Sequence, residues 1–126
     1  MVAEALRRTG GALRAAAKAL GLKRRREEAR AAAEAQARRE REAALAREKH
    51  LDALAGRGPK LWANVDELIA ARQPKNYDAA VQHLVDLRDL ATRQGTTAEF
   101  VRRIAALREA QVRKQAFLVR LDQVGL

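Results

Sequence analysis

Asn76-Tyr77-Asp78-Ala79-Ala80-Val81-Gln82-His83-Leu84-Val85-Asp86-Leu87-Arg88-Asp89-Leu90-Ala91 decides the fold class. Within it Tyr77, Ala80, Val81, Leu84, Val85, Leu87, Leu90 and Ala91 recur at three- and four-residue steps, the period of a helix with one apolar face. The face is wide, as expected of a helix covered on two sides. Asn76 is expected to cap this helix, which runs over 76–94, and Gly95 to close it.

The neighbouring segments repeat the period. Leu61, Trp62, Val65, Leu68 and Ile69 predict a helix over 60–72, ended by Pro74 because the residue before a proline avoids the α region. Thr96-Thr97-Ala98-Glu99 reads as a capping box, Thr96 leading and Glu99 three residues on. The helix it opens is expected to bury Phe100, Val101, Ile104, Leu107 and Val112. A last short helix near 115–123 offers Phe117, Leu118 and Leu121. Val and Ile fall at helical spacings and no alternating pattern occurs. The fold class is therefore all-α: a small antiparallel helical bundle, or a repeat-like stack of four short helices, preceded by a long basic Ala/Arg-rich helical arm.

Residues 27–55 read as one long helix. Its row Arg26, Arg30, Glu34, Arg38, Glu42 alternates in sign after the first step, a pattern that supports an exposed helix. Its apolar face is mostly Ala (Ala29, Ala33, Ala37, Ala44) until Leu45, Leu51 and Leu54. The expectation is a single exposed helix, or one docking only through its Leu45–Leu54 end, since Ala gives a weak coiled-coil seam. Gly56-Arg57-Gly58-Pro59 ends it. Residues 1–20 carry Leu6, Leu13 and Leu20, widened by Val2, Ala5, Ala16 and Ala17 and interrupted by Gly10 and Gly11. They read as a frayed terminus lying on the rest of the protein, with a partner-binding or membrane-surface helix and a targeting peptide as the other readings. Gly21 is expected to separate this segment from the arm. The expected division is thus 1–21 short amphipathic helix, 22–58 basic arm, 59–126 bundle core.

Composition agrees with that division. The 126 residues carry 26 Lys and Arg against 16 acids, a formal charge of +10. Residues 1–60 contribute sixteen cations and eight acids; residues 61–126 contribute ten and eight. Large apolar side chains run the other way, nine against twenty-two. Because burial of such side chains is the main term favouring folding, the core belongs mostly to the second half. With no Cys and no Ser, disulfides, thiolate zinc sites and the common acyl-transfer nucleophiles are excluded. No apolar run is long enough for a membrane span, and Arg14 and Lys18 break any secretory apolar core. The expected setting is cytoplasmic.

Leu61-Trp62-Ala63-Asn64-Val65-Asp66-Glu67-Leu68-Ile69, Gln73-Pro74-Lys75-Asn76-Tyr77-Asp78-Ala79-Ala80-Val81, Leu84-Val85-Asp86-Leu87-Arg88-Asp89-Leu90-Ala91 and Leu121-Asp122-Gln123-Val124-Gly125-Leu126 together resemble the C-terminal helical region of bacterial SWIM zinc-finger proteins. The resemblance covers roughly residues 51–126. That family takes its name from a Cys/Cys/Cys/His zinc motif upstream of this region. This chain has no Cys, so no zinc ligand carries over, and only the helical tail is implied. A Lys-Pro-Ser step typical of the family is replaced by Lys114-Gln115-Ala116, which implies that the last two helices can run together.

Candidate chemistry is sparse. His50 and His83 have only Asp52 and Asp86 as potential metal-ligand neighbours and read as surface or boundary residues. Asp86 and Asp89 lie on adjacent turns of one helix, on what reads as a solvated edge, without a nucleophile or a phosphate-binding loop beside them. Neither an enzyme nor a cofactor is expected. Trp62 and Tyr77 flank the Pro74 turn and read as core or hairpin-packing residues, and they are also the candidates for a partner groove. Lys23, Arg24, Arg25 and Arg26 form the densest cationic cluster and are candidate nucleic-acid contacts. Residues 88–106 also resemble a helix-turn-helix through Ala91, Gly95, Val101 and Ile104, which would turn Thr97, Arg102 and Arg103 toward a major groove. A Gly-terminated helical hairpin explains the same residues. The function expected is a non-enzymatic helical protein-interaction or scaffolding module, binding a protein partner or itself. The alternative is a nucleic-acid binder using the arm together with Arg102 and Arg103.

Overall fold

In the computed structural model the protein is all-α. The structure describes the backbone of residues 2–126 and the side chains of residues 10–126. The described residues form five helices: α1 (Val2–Leu54), α2 (Gly58–Ala70), α3 (Pro74–Gln94), α4 (Thr97–Ala110) and α5 (Gln115–Gln123). By internal contacts the chain divides into two compact units, Met1–Ala46 and Arg47–Leu126.

The first unit is helical throughout its described backbone. Gly10, Gly11 and Gly21 lie inside α1, so the break expected at Gly21 is absent. Each glycine costs roughly 1 kcal/mol in a helix interior, and the surrounding Ala, Arg, Leu and Glu are strong enough helix formers to carry the helix through. From Gly11 to Ala46 nearly every side chain is exposed. Short-range pairs decorate the surface: Arg24 with Glu28 at 3.7 Å, and Gln36 donating to Glu40 at 3.0 Å. Leu13, Leu20 and Leu45 are exposed. Val2, Ala5 and Leu6 lie outside the residues whose side chains are described.

The second unit is a helical bundle organised on α3, which α2, α4 and α5 all contact. The core includes Leu51 from the last turns of α1, Leu61, Val65 and Ile69 from α2, Phe100 and Ile104 from α4, and Phe117 and Leu121 from α5. From α3 come Tyr77, Ala80, Val81, Leu84, Leu87, Leu90 and Ala91. The wide stripe of α3 is thus used, with the exception of Val85, which is half-buried and stands outside the core. Phe117, Ile69, Leu84, Leu121 and Val65 are the largest fully buried side chains. Two tilted aromatic pairs lie within the unit, Tyr77 with Phe117 at 5.7 Å and Trp62 with Phe100 at 6.0 Å.

Short connections set the boundaries. Gln73 is extended (φ −116°, ψ 141°) before Pro74, as a residue preceding proline must be. Pro74 begins α3, while α2 has already ended at Ala70. Asn76 therefore lies inside the first turn of α3, and the capping place falls to Gln73. Arg72 closes α2 in the left-handed region, φ 53°. Gly95 does the same for α3 at φ 72°, with the Thr96 N–H donating to the Ala91 carbonyl at 2.9 Å. That six-to-one bond is the Schellman closure expected of a helix-ending glycine.

Further corrections concern α4 and α5. Thr96 occupies the N-cap of α4 but makes no side-chain capping bond. Val101 and Val112, expected in the core, are each 58% exposed. Val101 lies on α4 but off the stripe of Phe100, Ile104 and Leu107 that faces the core, whereas Val112 lies beyond the end of α4 at Ala110, in the turn that follows it. The last two helices do not run together: the chain turns at residues 111–114, where the Lys114 N–H donates to the Gln111 carbonyl at 2.9 Å. The Leu126 N–H donates to the Leu121 carbonyl at 2.9 Å, and Arg108 and Arg88 hold the last carbonyls, Leu126 O at 2.9 Å and Val124 O at 3.1 Å.

Candidate functional site

Two features of the second unit stand out: a charged cluster joining α1 to α3, and an open cleft beside Trp62.

The cluster is built from two pairs of residues, each three apart on a helix and therefore on one face. Arg47 and His50 lie on α1; Asp86 and Asp89 lie on α3. Arg47 Nη1 donates to Asp86 Oδ1 at 2.6 Å and Nη2 donates to Asp89 Oδ2 at 2.7 Å. His50 Nε2 lies 3.1 Å from Asp86 Oδ2 and donates to it. Arg93, one turn further along α3, donates to Asp52 at 2.6 Å. Asp86 is only 3% exposed, which corrects the reading of this residue on a solvated edge. Burial is the largest single influence on its carboxyl and pushes its pKa up. The hydrogen bonds and charges of Arg47 and His50 together outweigh that, and hold the carboxyl below the usual carboxylate range. Arg47 is in turn raised above its ordinary value, first by its bond to Asp89. A guanidinium spanning two carboxylates has the fork geometry that makes such pairs strong. With its oxygens engaged in this way, Asp86 is well suited to fixing α1 against α3.

The cleft has a volume of about 290 Å³. Trp62, Leu87, Leu90, Ala91 and Phe100 supply apolar walls; Gln94, Thr96, Glu99 and Arg103 supply polar ones. Gly56, Gly58 and Pro59 form the remaining side, where the lack of long side chains keeps the cleft open. The Arg103 guanidinium lies 4.1 Å from the centre of the Trp62 ring, within cation–π range. This brings together one candidate nucleic-acid contact and one candidate groove residue from opposite sequence arguments.

The remaining candidates are placed differently. Tyr77 is buried against Phe117, with Arg120 6.0 Å from its ring, and does not line the cleft with Trp62. The two aromatics therefore do not frame one groove. Arg102 and Thr97 are exposed on α4. Val101, which a helix-turn-helix would bury between its helices, is in solvent. Lys23, Arg24, Arg25 and Arg26 are exposed along α1. His50 is exposed yet bonded to Asp86, and His83 is half-buried. Among the described residues there is no group of three or more His, Cys, Asp or Glu able to hold a metal ion. No described helix is long and apolar enough to cross a membrane.

The Arg47–Asp86–Asp89 arrangement escaped the sequence reading. Its signal was present: Asp86 sits between Val85 and Leu87 inside an apolar stripe, and an acid there requires a partner. The matching three-residue spacing of Arg47 and His50 offered one.

No family model, curated protein or solved structure matches the chain.

Proposed function

We propose that the chain is a non-enzymatic helical interaction module whose cleft takes a short apolar segment of a protein partner. The observation that carries this is the open, aromatic-walled cleft with a polar rim. Its size is at the low end of ligand pockets, which suits one or two anchoring side chains of a peptide. Buried aromatic anchors with an adjacent arginine are the residue types that dominate protein–protein contacts. The engagement of Asp86 and Asp89 by Arg47 and His50 supports a structural role for the chain's most buried acid. The resemblance of residues 51–126 to the helical tail of bacterial SWIM zinc-finger proteins agrees with a zinc-free helical module, and a cytoplasmic setting belongs to the same proposal.

The test is selection of peptides from a random display library on the full chain. A Gln94→Trp variant, altered at an exposed residue of the cleft wall, serves as the counter-target. Peptides that share an apolar anchor, quench or shift Trp62 emission, and lose binding to Gln94→Trp would support the proposal. Selection that yields no binders, or binders indifferent to Gln94→Trp, would contradict it.

A second reading, nucleic-acid binding, is favoured by the exposed Lys23, Arg24, Arg25 and Arg26 with Arg102. Arg103, engaged with Trp62, contributes less to it. Fluorescence anisotropy against duplex DNA and RNA at two salt concentrations tests this reading, because phosphate contacts weaken steeply with salt.

A further inference from the structure

The charge of α1 is more concentrated than its totals suggest. Between Glu4 and Glu27 the sequence holds eight cations (Arg7, Arg8, Arg14, Lys18, Lys23, Arg24, Arg25, Arg26) and no acid. The same stretch carries exposed leucines: Leu13 is 66% exposed and Leu20 67% exposed, while Leu22, 41% exposed, lies roughly opposite them around the helix. Seven residues apart on a continuous helix, they share one face, with Ala16 and Ala17 between them. At 3.6 residues per turn, Arg14, Lys18 and Arg25 lie roughly 100–160° around the helix from these leucines, and Lys23 and Arg24 flank the row just beyond Leu20.

We propose that residues 10–26 of α1 form a surface-binding helix for an anionic lipid bilayer. Three occupants of this face can be compared by what each satisfies. A nucleic acid neutralises the cations but leaves Leu13 and Leu20 in water. A second copy of the chain covers the leucines, but aligned pairing sets one acid-free cationic segment against another. An anionic bilayer satisfies both, since the leucines enter the acyl boundary while the long Lys and Arg stems keep their charges among the headgroups. Binding of this kind adds apolar burial to electrostatic attraction. The helix is a surface element and not a span, in keeping with the absence of a membrane-crossing helix among the described residues. The inference is independent of the cleft.

The experiment is co-sedimentation of the full chain with vesicles of phosphatidylcholine alone and with vesicles of phosphatidylcholine and phosphatidylglycerol in equal parts. Two variants accompany it: Leu13→Ala/Leu20→Ala, which keeps helix propensity, and Lys23→Gln/Arg24→Gln/Arg25→Gln/Arg26→Gln. The altered side chains are exposed, and far-UV circular dichroism checks that each variant remains helical. The expected result is binding to the mixed vesicles only. The leucine variant should lose about tenfold or more, and the four-cation variant about a hundredfold or more. Equal binding to neutral vesicles, or no binding to mixed ones, would overturn the proposal. So would a leucine variant that binds mixed vesicles as tightly as the parent chain. Duplex DNA bound more tightly than mixed vesicles, with an affinity indifferent to the leucines, would assign the segment to nucleic acid instead.

Discussion

Arg47 on α1 and Asp86 on α3 meet at 2.6 Å, with Asp86 almost wholly withdrawn from solvent. The same guanidinium holds Asp89 at 2.7 Å, so one side chain joins the end of α1 to two successive turns of the central helix. Such a pair is not in itself strong stabilisation, because desolvating the charges offsets much of their attraction. Losing one partner is costly, since the other is then left buried without compensation.

Replacing Asp86 by Asn should therefore destabilise the second unit by about 1–3 kcal/mol. Asp89→Asn should cost less, about 1 kcal/mol or below, because Asp89 is more open to water and exposed pairs contribute little. Urea unfolding followed by circular dichroism at neutral pH measures both. Equal effects of the two substitutions would contradict the central role of Asp86.

Acidity provides a second test. The Asp86 carboxyl is held below the usual carboxylate range in the folded state, so its ionised form favours folding above the unfolded value, about pH 4. That contribution is lost as pH falls through the lower folded value. Stability of the parent chain should thus decline from about pH 4 downward, and the gap between it and Asp86→Asn should narrow over the same range. Unfolding midpoints across pH 2–7 would show it; a gap that stays constant would refute the assignment.

Backbone strain at the end of α2 makes a prediction of opposite sign. Arg72 adopts φ 53°, a region that glycine enters without steric cost. Arg72→Gly should be neutral or stabilising by up to about 1 kcal/mol, the relief of strain exceeding the added freedom of the unfolded chain. Gly95→Ala, at φ 72°, should destabilise by about 1–2 kcal/mol. Thermal melts of the two variants should shift in these directions.

Packing separates residues that periodicity alone treats alike. Val101 is in solvent and Ile104 in the core, although both lie on α4. Val101→Gln should change stability by no more than about 0.5 kcal/mol, whereas Leu84→Ala and Phe117→Ala should each cost about 2–5 kcal/mol. A large loss from Val101→Gln would restore a buried role for it, as a helix-turn-helix requires.

The helices of the bundle were legible because the sequence states them twice, once in apolar period and once in punctuation. Pro59, Pro74, Gly95 and Gly125 bound segments whose stripes already specify their length. Details that depend on neighbours were not legible. Whether Val101 is covered depends on which helices flank α4, and Val112 falls in the turn beyond Ala110; no local pattern encodes either. Gly21 resembled a break because glycine is a poor helix former, yet the strong formers on both sides outweigh it. Asp86 was misread because its surroundings are set by Arg47 and His50, residues 39 and 36 positions away. The pairing of Trp62 with Arg103 and Phe100 is likewise long-range, so the cleft could not be assembled from either sequence segment alone.

The central claim is that the bundle is one cooperative unit beginning at Arg47, with the last turns of α1 contributing Leu51, Arg47 and Asp52 to it. Urea unfolding of two fragments, residues 47–126 and residues 59–126, tests this most directly. The account predicts that 47–126 unfolds in one cooperative transition. It predicts that 59–126, which lacks Leu51 and leaves Asp86 without Arg47 and His50, loses at least about 3 kcal/mol or has no cooperative transition. Equal stability of the two fragments would contradict it.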